Sequence, residues 1–486
     1  MSNQTHDYGI TGFGGYIPRL RMQRAAIVAT HQWMAPGLRS LGKGQRAFCS
    51  WDEDTITMAV EAARDALGQR TTAELQSLTL ASTRMPYANV QNSSLVAASL
   101  QLPATAATAD QGYSERAGVA GLLAALRSAA GPALVVASDH PPAKPASTQE
   151  LTYGAGAAAF TLGSDKVLAR LVGHASRNNT FVDHYRAEDQ SFDYFWEERW
   201  IREEGYLKVV PQTVKAALQQ AGLTAADVHH FVLASSLKAV DQAVAKKLGI
   251  APEAVADALD STCGYAGAAH APMMLALALE RAQPGQHIVV VGFSQGCDVL
   301  VLQVTDALAD FKPVRGISGA LAEAQPHDAY MRMLSYAGGI DLEWGMRAEK
   351  VIKTALTDQY RSSHQLAGFV AGHCRACGTV QFPQLTYCVN PACNAPAAQF
   401  DPVSLRDVPA QVLTYTADAL SYHPAPPLYV GFVQFDNGAR LLMEMVDVGA
   451  AGLDVGTPLR SVLRIKDLDK ARGHTRYFWK MTPLAA

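Results

Sequence analysis

At 486 residues, 49% hydrophobic and with a formal net charge of −3, the chain is long enough for two or three domains with large apolar cores. The near-neutral balance excludes a basic face for nucleic acid and a polybasic run for a lipid surface. The polar start, Met1 to Tyr8, lacks the apolar stretch of a signal peptide. The longest apolar runs are Ala-rich and broken by Gly, Pro or charge, so no membrane span is expected.

From the N-terminus to about residue 335, helical stretches alternate with short β-rich runs. Residues 54–67 carry apolar side chains at helical spacing behind an Asp54-Thr55 start, which predicts a helix. Leu134 to Ser138 and His287 to Gly292 are continuous β-branched runs, as expected of strands buried on both faces. This alternation predicts an α/β layered fold. There is also an internal echo. Ala117-Gly118 opens a small-residue helix leading to the first of those strands, and Ala266-Gly267 opens another leading to the second. Duplication accounts for the echo; close helix packing through small residues is the simpler alternative.

Residues 341–366 read as a charged amphipathic linker helix, with Leu342, Met346, Val351, Ile352 and Leu356 as its apolar positions. Four of the seven cysteines then follow within twenty residues, as Cys374-Arg-Ala-Cys377 and Cys388 with Cys393. Two knuckles, each offering two thiolates, predict a structural zinc in a ribbon over 367–400, with disulfide pairing as the alternative. Gly378 would let the first knuckle turn tightly. A four-thiolate site is closed, so it holds a fold together and leaves no position for substrate. Such cysteine usage, with Cys49, Cys263 and Cys297 scattered elsewhere, fits a reducing cytoplasm. Beyond Asp401, runs at 410–416, 428–435, 440–446 and 459–465 alternate in the manner of strands, with turns at Asn437-Gly438 and Gly456. They predict a small barrel of the oligomer-binding (OB) type over 401–486.

Residues 1–335 resemble the thiolase superfamily, and within it the 3-hydroxy-3-methylglutaryl-CoA (HMG-CoA) synthases. The resemblance rests on Ile10-Thr-Gly-Phe-Gly-Gly-Tyr-Ile-Pro18, Met85-Pro-Tyr-Ala88, Gly154-Ala-Gly-Ala-Ala-Ala, Glu204-Gly-Tyr-Leu-Lys208 and Pro284-Gly285. Residues 341–486 resemble the zinc-ribbon/OB-fold proteins that accompany thiolases, synthases and acyl-CoA hydratases as partner subunits. Together the two imply a duplicated α/β/α layered domain followed by a rubredoxin-like zinc ribbon and an OB-fold barrel. They also imply a coenzyme A thioester as substrate, a homodimer through the first domain, and a possible second enzyme subunit.

The resemblance also implies where the chemistry should lie. The family's Cys nucleophile falls on Glu115, its Glu on Thr83, its His near Ala234 or Ser235, and its Asn on Cys263. A carboxylate at 115 lacks a thiolate's ability to capture an acyl group. Glu115 is therefore a candidate general base at a helix mouth, where the macrodipole favours its charge; a charged filler of the vacant nucleophile site is the plainer alternative. Cys263, also before a helix, is a candidate displaced nucleophile with a lowered thiol pKa, or else a small packed hydrophobe. Tyr113 and Tyr265 are candidate proton carriers, as in thiolase-like aldolases that work without the Cys. Thr83, Ser114 and Ser235 are candidate hydrogen-bond donors to a thioester oxygen.

Three further segments carry weaker signals. Residues 184–200 form an aromatic, charged insertion that would line an acyl pocket, or else make a lid or dimer contact. Gly292 to Gly296 resembles the family's glycine loop. Arg472 to Arg476 would reach a CoA phosphate or simply close the barrel. The expected activity is C–C bond making or breaking next to an acyl-CoA thioester, with direct aldol or retro-aldol chemistry favoured over Claisen-type transfer. A non-catalytic scaffold for another acyl-CoA enzyme and an acyltransferase using Cys263 are the alternatives.

Overall fold

The computed structural model describes residues 8–484, so the polar start lies outside the described residues except for Tyr8. The chain divides into two compact units. The first takes residues up to Ser50, then 54–94 and 102–340; the second takes 51–53, 95–101 and everything from Asp341.

The first unit is built on a nine-stranded sheet. Its strand order is His230–Leu233, His287–Phe293, Gly296–Val304, Ala169–Asn178, Gly9–Tyr16, Gly156–Gly163, Ala133–Asp139, Ser77–Ala81 and Ala107–Gln111. Duplication is visible in this order. In the first half, Ser77–Ala81 pairs in parallel with both Ala107–Gln111 and Ala133–Asp139, and the two later junctions are antiparallel. In the second half, Phe231 bridges Val255 in parallel, His230–Leu233 pairs in parallel with His287–Phe293, and two antiparallel junctions again follow. The halves join through a two-residue register between Gly9–Tyr16 and Ala169–Asn178.

The echoing helices are Ala117–Ser128 and Gly267–Arg281, each leading to its half's central strand. They pack so closely that a Cβ on Gly118 would overlap the Ala268 carbonyl. The predicted helix at 54–67 forms over Thr55–Leu67. Its N-cap Asp54 accepts from the Ile56 and Thr57 amides at 3.0 Å, and Thr57 Oγ1 accepts from the Asp54 amide at 2.7 Å. Both expected buried strands form, and Ala133–Asp139 is buried throughout.

The second unit holds a three-stranded sheet, in the order Val380–Gln381, Val370–Cys374 and Phe400–Ser404, that carries the cysteine knuckles. Gly378 sits at φ +76, as the tight first turn requires. A six-stranded sheet follows, in the order Ala410–Val412, Pro458–Asp469, His474–Pro483, Arg440–Met445, Leu428–Phe435 and Thr416–Asp418. It closes into a barrel because Ala410–Val412 also pairs with Leu428–Phe435. Arg472 lies in the turn between the two longest strands and bonds to Asp469, at 2.8 Å through its Nε. Inside the unit, Lys480 is 1% exposed. Its ammonium lies 2.9 Å from Asp52 Oδ2 and 2.7 Å from Glu444 Oε1, and 4.3 Å from the Trp51 ring centre.

The linker helix needs correction. Residues 349–355 are not helical; a single 3-10 turn at Met346–Ala348 and two short helices, Leu356–Arg361 and Ser363–Gly368, stand in place of the continuous helix. Gly345 adopts φ +71. Thr354 is buried, with its amide directed at Asp469 Oδ2 at 3.4 Å and its carbonyl accepting from Arg472 at 2.8 Å, so the backbone there bonds sideways and not along a helix. Among the described residues no helix is long and apolar enough to cross a membrane.

Candidate active site

The residues two positions before the starts of the echoing helices are Glu115 and Tyr265, and the duplication brings them face to face. Tyr265 Oη donates to Glu115 Oε2 at 2.6 Å; the tyrosine is buried and the glutamate side chain nearly so. The second partner of the carboxylate comes from the insertion after strand Ala169–Asn178. His184 Nε2 lies 3.5 Å from Glu115 Oε1, and Nδ1 lies 3.3 Å from Asp183 Oδ2. The His184 ring stacks on Phe195 at 5.2 Å. Pairing of His184–Tyr185 with Tyr194–Phe195 holds this loop in place, as does Gln295 Nε2 donating to the His184 carbonyl at 3.1 Å. Gln295 itself stands at φ +52 in the Gly292 to Gly296 turn, so that glycine segment acts on the site through the backbone of His184.

Electrostatics divides the labour. Burial, aided by Asp183, pushes the Glu115 carboxyl up to about 7 against the opposing pull of His184. Burial alone would lower the imidazolium of His184, but Glu115 and Asp183 outweigh it and hold His184 up at about 10. Near neutrality the site thus contains a carboxyl poised between its two protonation states beside a fixed cation. Burial and the Glu115 charge push the Tyr265 phenol well above its ordinary range, so it stays a donor. One ligand atom each from Glu115, Asp183 and His184 lies within 4.8 Å of the others, a spacing suited to a divalent ion; protonated His184 has no lone pair to offer one.

The other sequence candidates lie elsewhere or are engaged. Thr83 gives its hydroxyl proton to Asp139 Oδ2 at 2.8 Å, and its amide donates to the same oxygen at 3.1 Å, so neither is free for a thioester. Asp139 also accepts from the Ala268 and His140 amides, which ties the two halves together beneath the site. Ser114 Oγ donates to the Ser294 carbonyl at 3.4 Å. Ser235 Oγ accepts from the Leu237 amide at 3.0 Å, next to Ala234, whose carbonyl lies 3.4 Å from Tyr206 Oη. Tyr113 is 96% exposed and takes no part. Of the two readings of Cys263, the structure favours the small packed hydrophobe over the displaced nucleophile. The residue is fully buried four residues before its helix, with Sγ 3.3 Å from the Gly264 carbonyl, and burial pushes its thiol up to about 12.

His184 and Asp183 are the members that sequence reasoning missed. The only signal was their place at the head of the aromatic insertion. A cavity of about 580 Å³ is lined among others by Arg24, Gln149, Thr152, Ser235, Lys238 and Phe195; Phe195, which stacks on His184, is its link to the cluster, and Glu115, Asp183, His184 and Tyr265 do not line it. Its size and mixed lining are those of a small-molecule site.

In the second unit the four cysteine sulfurs converge. Cys374 and Cys393 lie 3.8 Å apart, Cys377 and Cys388 3.6 Å apart, and all four sulfurs lie within 4.8 Å of one another with no disulfide formed. Thiolates about 2.3 Å from a tetrahedral ion are separated by about 3.8 Å, so the donor set fits zinc.

Comparison with known proteins agrees with this architecture. Residues 218–303 match the family described as 3-oxoacyl-[acyl-carrier-protein] synthase III, C-terminal. The hydroxymethylglutaryl-CoA synthase of Aeropyrum pernix is 28% identical over 351 residues, covering 70% of this chain and 93% of its own. That of Methanosphaera stadtmanae is 29% identical over 343 residues, covering 68% and 97%. Among solved structures, an HMG-CoA synthase complexed with CoA superposes with a TM-score of 0.58 at 14% identity, over 72% of this chain and 94% of that one. A variant of Xanthomonas campestris OleA superposes at 0.55 and 20% identity, over 62% and 99%. The first unit therefore has the thiolase-like fold, and the N-terminal part of the chain is HMG-CoA synthase-like in sequence.

Proposed function

We propose that the chain is an acyl-CoA enzyme that makes or breaks a carbon–carbon bond next to a thioester by direct aldol or retro-aldol chemistry. The acyl-CoA part of this reading draws on the HMG-CoA synthase relatives. The choice of chemistry rests on one observation: a carboxyl shielded from water, with a pKa of about 7, stands between a tyrosine hydroxyl and an imidazolium, at the position where the resemblance puts the acyl-accepting Cys. In the cleaving direction, Glu115 takes the proton of a β-hydroxyl, the Cα–Cβ electron pair moves toward the thioester carbonyl, and a carbonyl compound leaves. The resulting enolate then regains a proton at carbon from Glu115. His184 keeps enough Glu115 ionised at neutral pH to accept the first proton. The high thiol pKa of Cys263 weighs against acyl transfer through it. The ribbon cysteines would hold a structural zinc and the barrel would be of the OB type, with no part in the bond chemistry.

The test offers the purified protein a panel of β-hydroxyacyl-CoA thioesters, and in the other direction acyl-CoA with aldehydes or ketones, while following new acyl-CoA species by mass spectrometry. Turnover lost in Glu115→Gln is the expected result. An unchanged rate in that variant overturns the role of Glu115, and no turnover without an added subunit favours a scaffold.

A further inference from the structure

Tyr153 is the buried group for which the mechanism above has no use. It follows the short helix Thr148–Thr152 and lies beside Tyr265 through a parallel bridge. The Tyr265 amide donates to the Thr152 carbonyl at 2.8 Å, and the Gly154 amide donates to the Tyr265 carbonyl at 2.8 Å. The Tyr153 ring sits 5.9 Å from that of Tyr265, the Glu115 partner, and 6.0 Å from that of Phe195, which with the preceding Thr152 lines the cavity. Its backbone has no slack. A Cβ on Gly154 would overlap the Cys263 carbonyl, and one on Gly264 would stand 2.8 Å from the Tyr153 carbonyl oxygen.

The residue is 0% exposed, and Tyr153 Oη has no hydrogen-bond partner among the described residues. Other buried tyrosines of this unit are satisfied: Tyr8 Oη donates to the Gly131 carbonyl, Tyr206 to Ala234, Tyr265 to Glu115 and Tyr330 to Glu150. A buried hydroxyl left unpaired is costly, folded proteins keep few of them, and a ligand oxygen is one partner that would satisfy it. Burial and the nearby Glu115, Asp193, Asp183 and Asp139 carboxylates push this phenol well above its usual range, so it remains protonated and can only donate.

We propose that Tyr153 is a catalytic hydrogen-bond donor whose Oη holds the thioester oxygen as that oxygen becomes an enolate. The inference rests on the acyl-CoA reading above and extends it to a residue that neither the sequence pattern nor the likeness to other folds singles out. As Glu115 removes a Cα proton, the C–H electron pair forms the C=C bond and the carbonyl π pair moves onto oxygen. Tyr153 donates to that oxygen without transferring its proton, and the reverse movement restores the thioester. The carboxylates around it carry the wrong charge for this task, and Tyr265 is already committed to Glu115.

Solvent-deuterium exchange into the acyl Cα of acetyl-CoA and propionyl-CoA, read by mass spectrometry, isolates this step without the second substrate. Tyr153→Phe removes only the unpartnered hydroxyl. The expected result is an exchange rate lowered by about 100- to 1000-fold, the usual loss for one oxyanion donor, with thioester affinity within about threefold of the parent and a melting temperature unchanged or raised. Exchange at the parental rate overturns the proposal while leaving the acyl-CoA reading intact. A lowered melting temperature or failure to fold makes the hydroxyl structural and also overturns it. A parent protein that neither binds nor exchanges either thioester removes the acyl-CoA reading, and this inference with it.

Discussion

Replacing His184 by Gln keeps the bulk beside Phe195 but removes the cation facing Glu115. The two charges stand 3.5 Å apart, with side chains 13% and 9% exposed. At an effective dielectric of about 20 their attraction is roughly 332/(20 × 3.5), or about 4.7 kcal/mol, equivalent to about 3.5 pH units. Measured effects of a neighbouring opposite charge run at about 1–3 units, which sets the working range. The Glu115 midpoint, about 7 in the parent, should therefore rise to between about 8 and 10 in His184→Gln. Difference infrared spectroscopy of the carboxyl stretch during a pH titration measures this without any substrate, with Glu115→Gln identifying the band. Where turnover is available, the acid limb of the rate profile should move by the same amount. A midpoint that stays near 7, or falls, would refute the ion-pair account of the site.

Other outcomes follow from the same geometry. Cys263→Ala should retain turnover and acquire no acyl adduct; loss of activity in a folded variant would return the chemistry to sulfur. Lys480→Met leaves Asp52 and Glu444 without their shared ammonium and should cost about 3–5 kcal/mol in urea unfolding, with a cost under about 1 kcal/mol contradicting the burial argument. Burial opposes the Glu444 charge, but His423, Lys480 and Lys466 hold its carboxyl down to about 2 from an ordinary 4.5. That depressed value contributes about 3 kcal/mol of stability above pH 4.5, lost as pH falls toward 2, so acid unfolding should show it. Metal analysis should find one zinc per chain, and Cys374→Ser should lose it and lower the melting temperature.

Much of the architecture was legible because it is written in local patterns. The Asp54 cap, the β-branched strands and the Ala-Gly helix openings all depend on neighbours within a few residues, and all appear where expected. The region 341–366 misled because apolar periodicity there competes with Thr354, whose backbone bonds to Asp469 and Arg472 more than a hundred positions away. The candidate site divides in the same way. Glu115 and Tyr265 were found from their positions before helices. His184 reaches Glu115 only through a strand pair and a glutamine from a distant hairpin, and no local pattern encodes that. Tyr153 lies beside a glycine motif, and its unpartnered hydroxyl shows only in three dimensions.

The contact between Gly118 and the Ala268 carbonyl constrains how such a chain can change over time. The two halves of the sheet are free to differ on their outer faces, yet along this seam the first helix has no room even for a methyl group at Gly118. An insertion that turned the first helix by a single residue would drive a side chain into its sibling. It would also displace Glu115, which stands about one half-turn upstream of that helix, away from Tyr265 before the other. Innovation in this lineage is thus channelled into the loops that feed the pocket, while the seam inherits as a fixed pair.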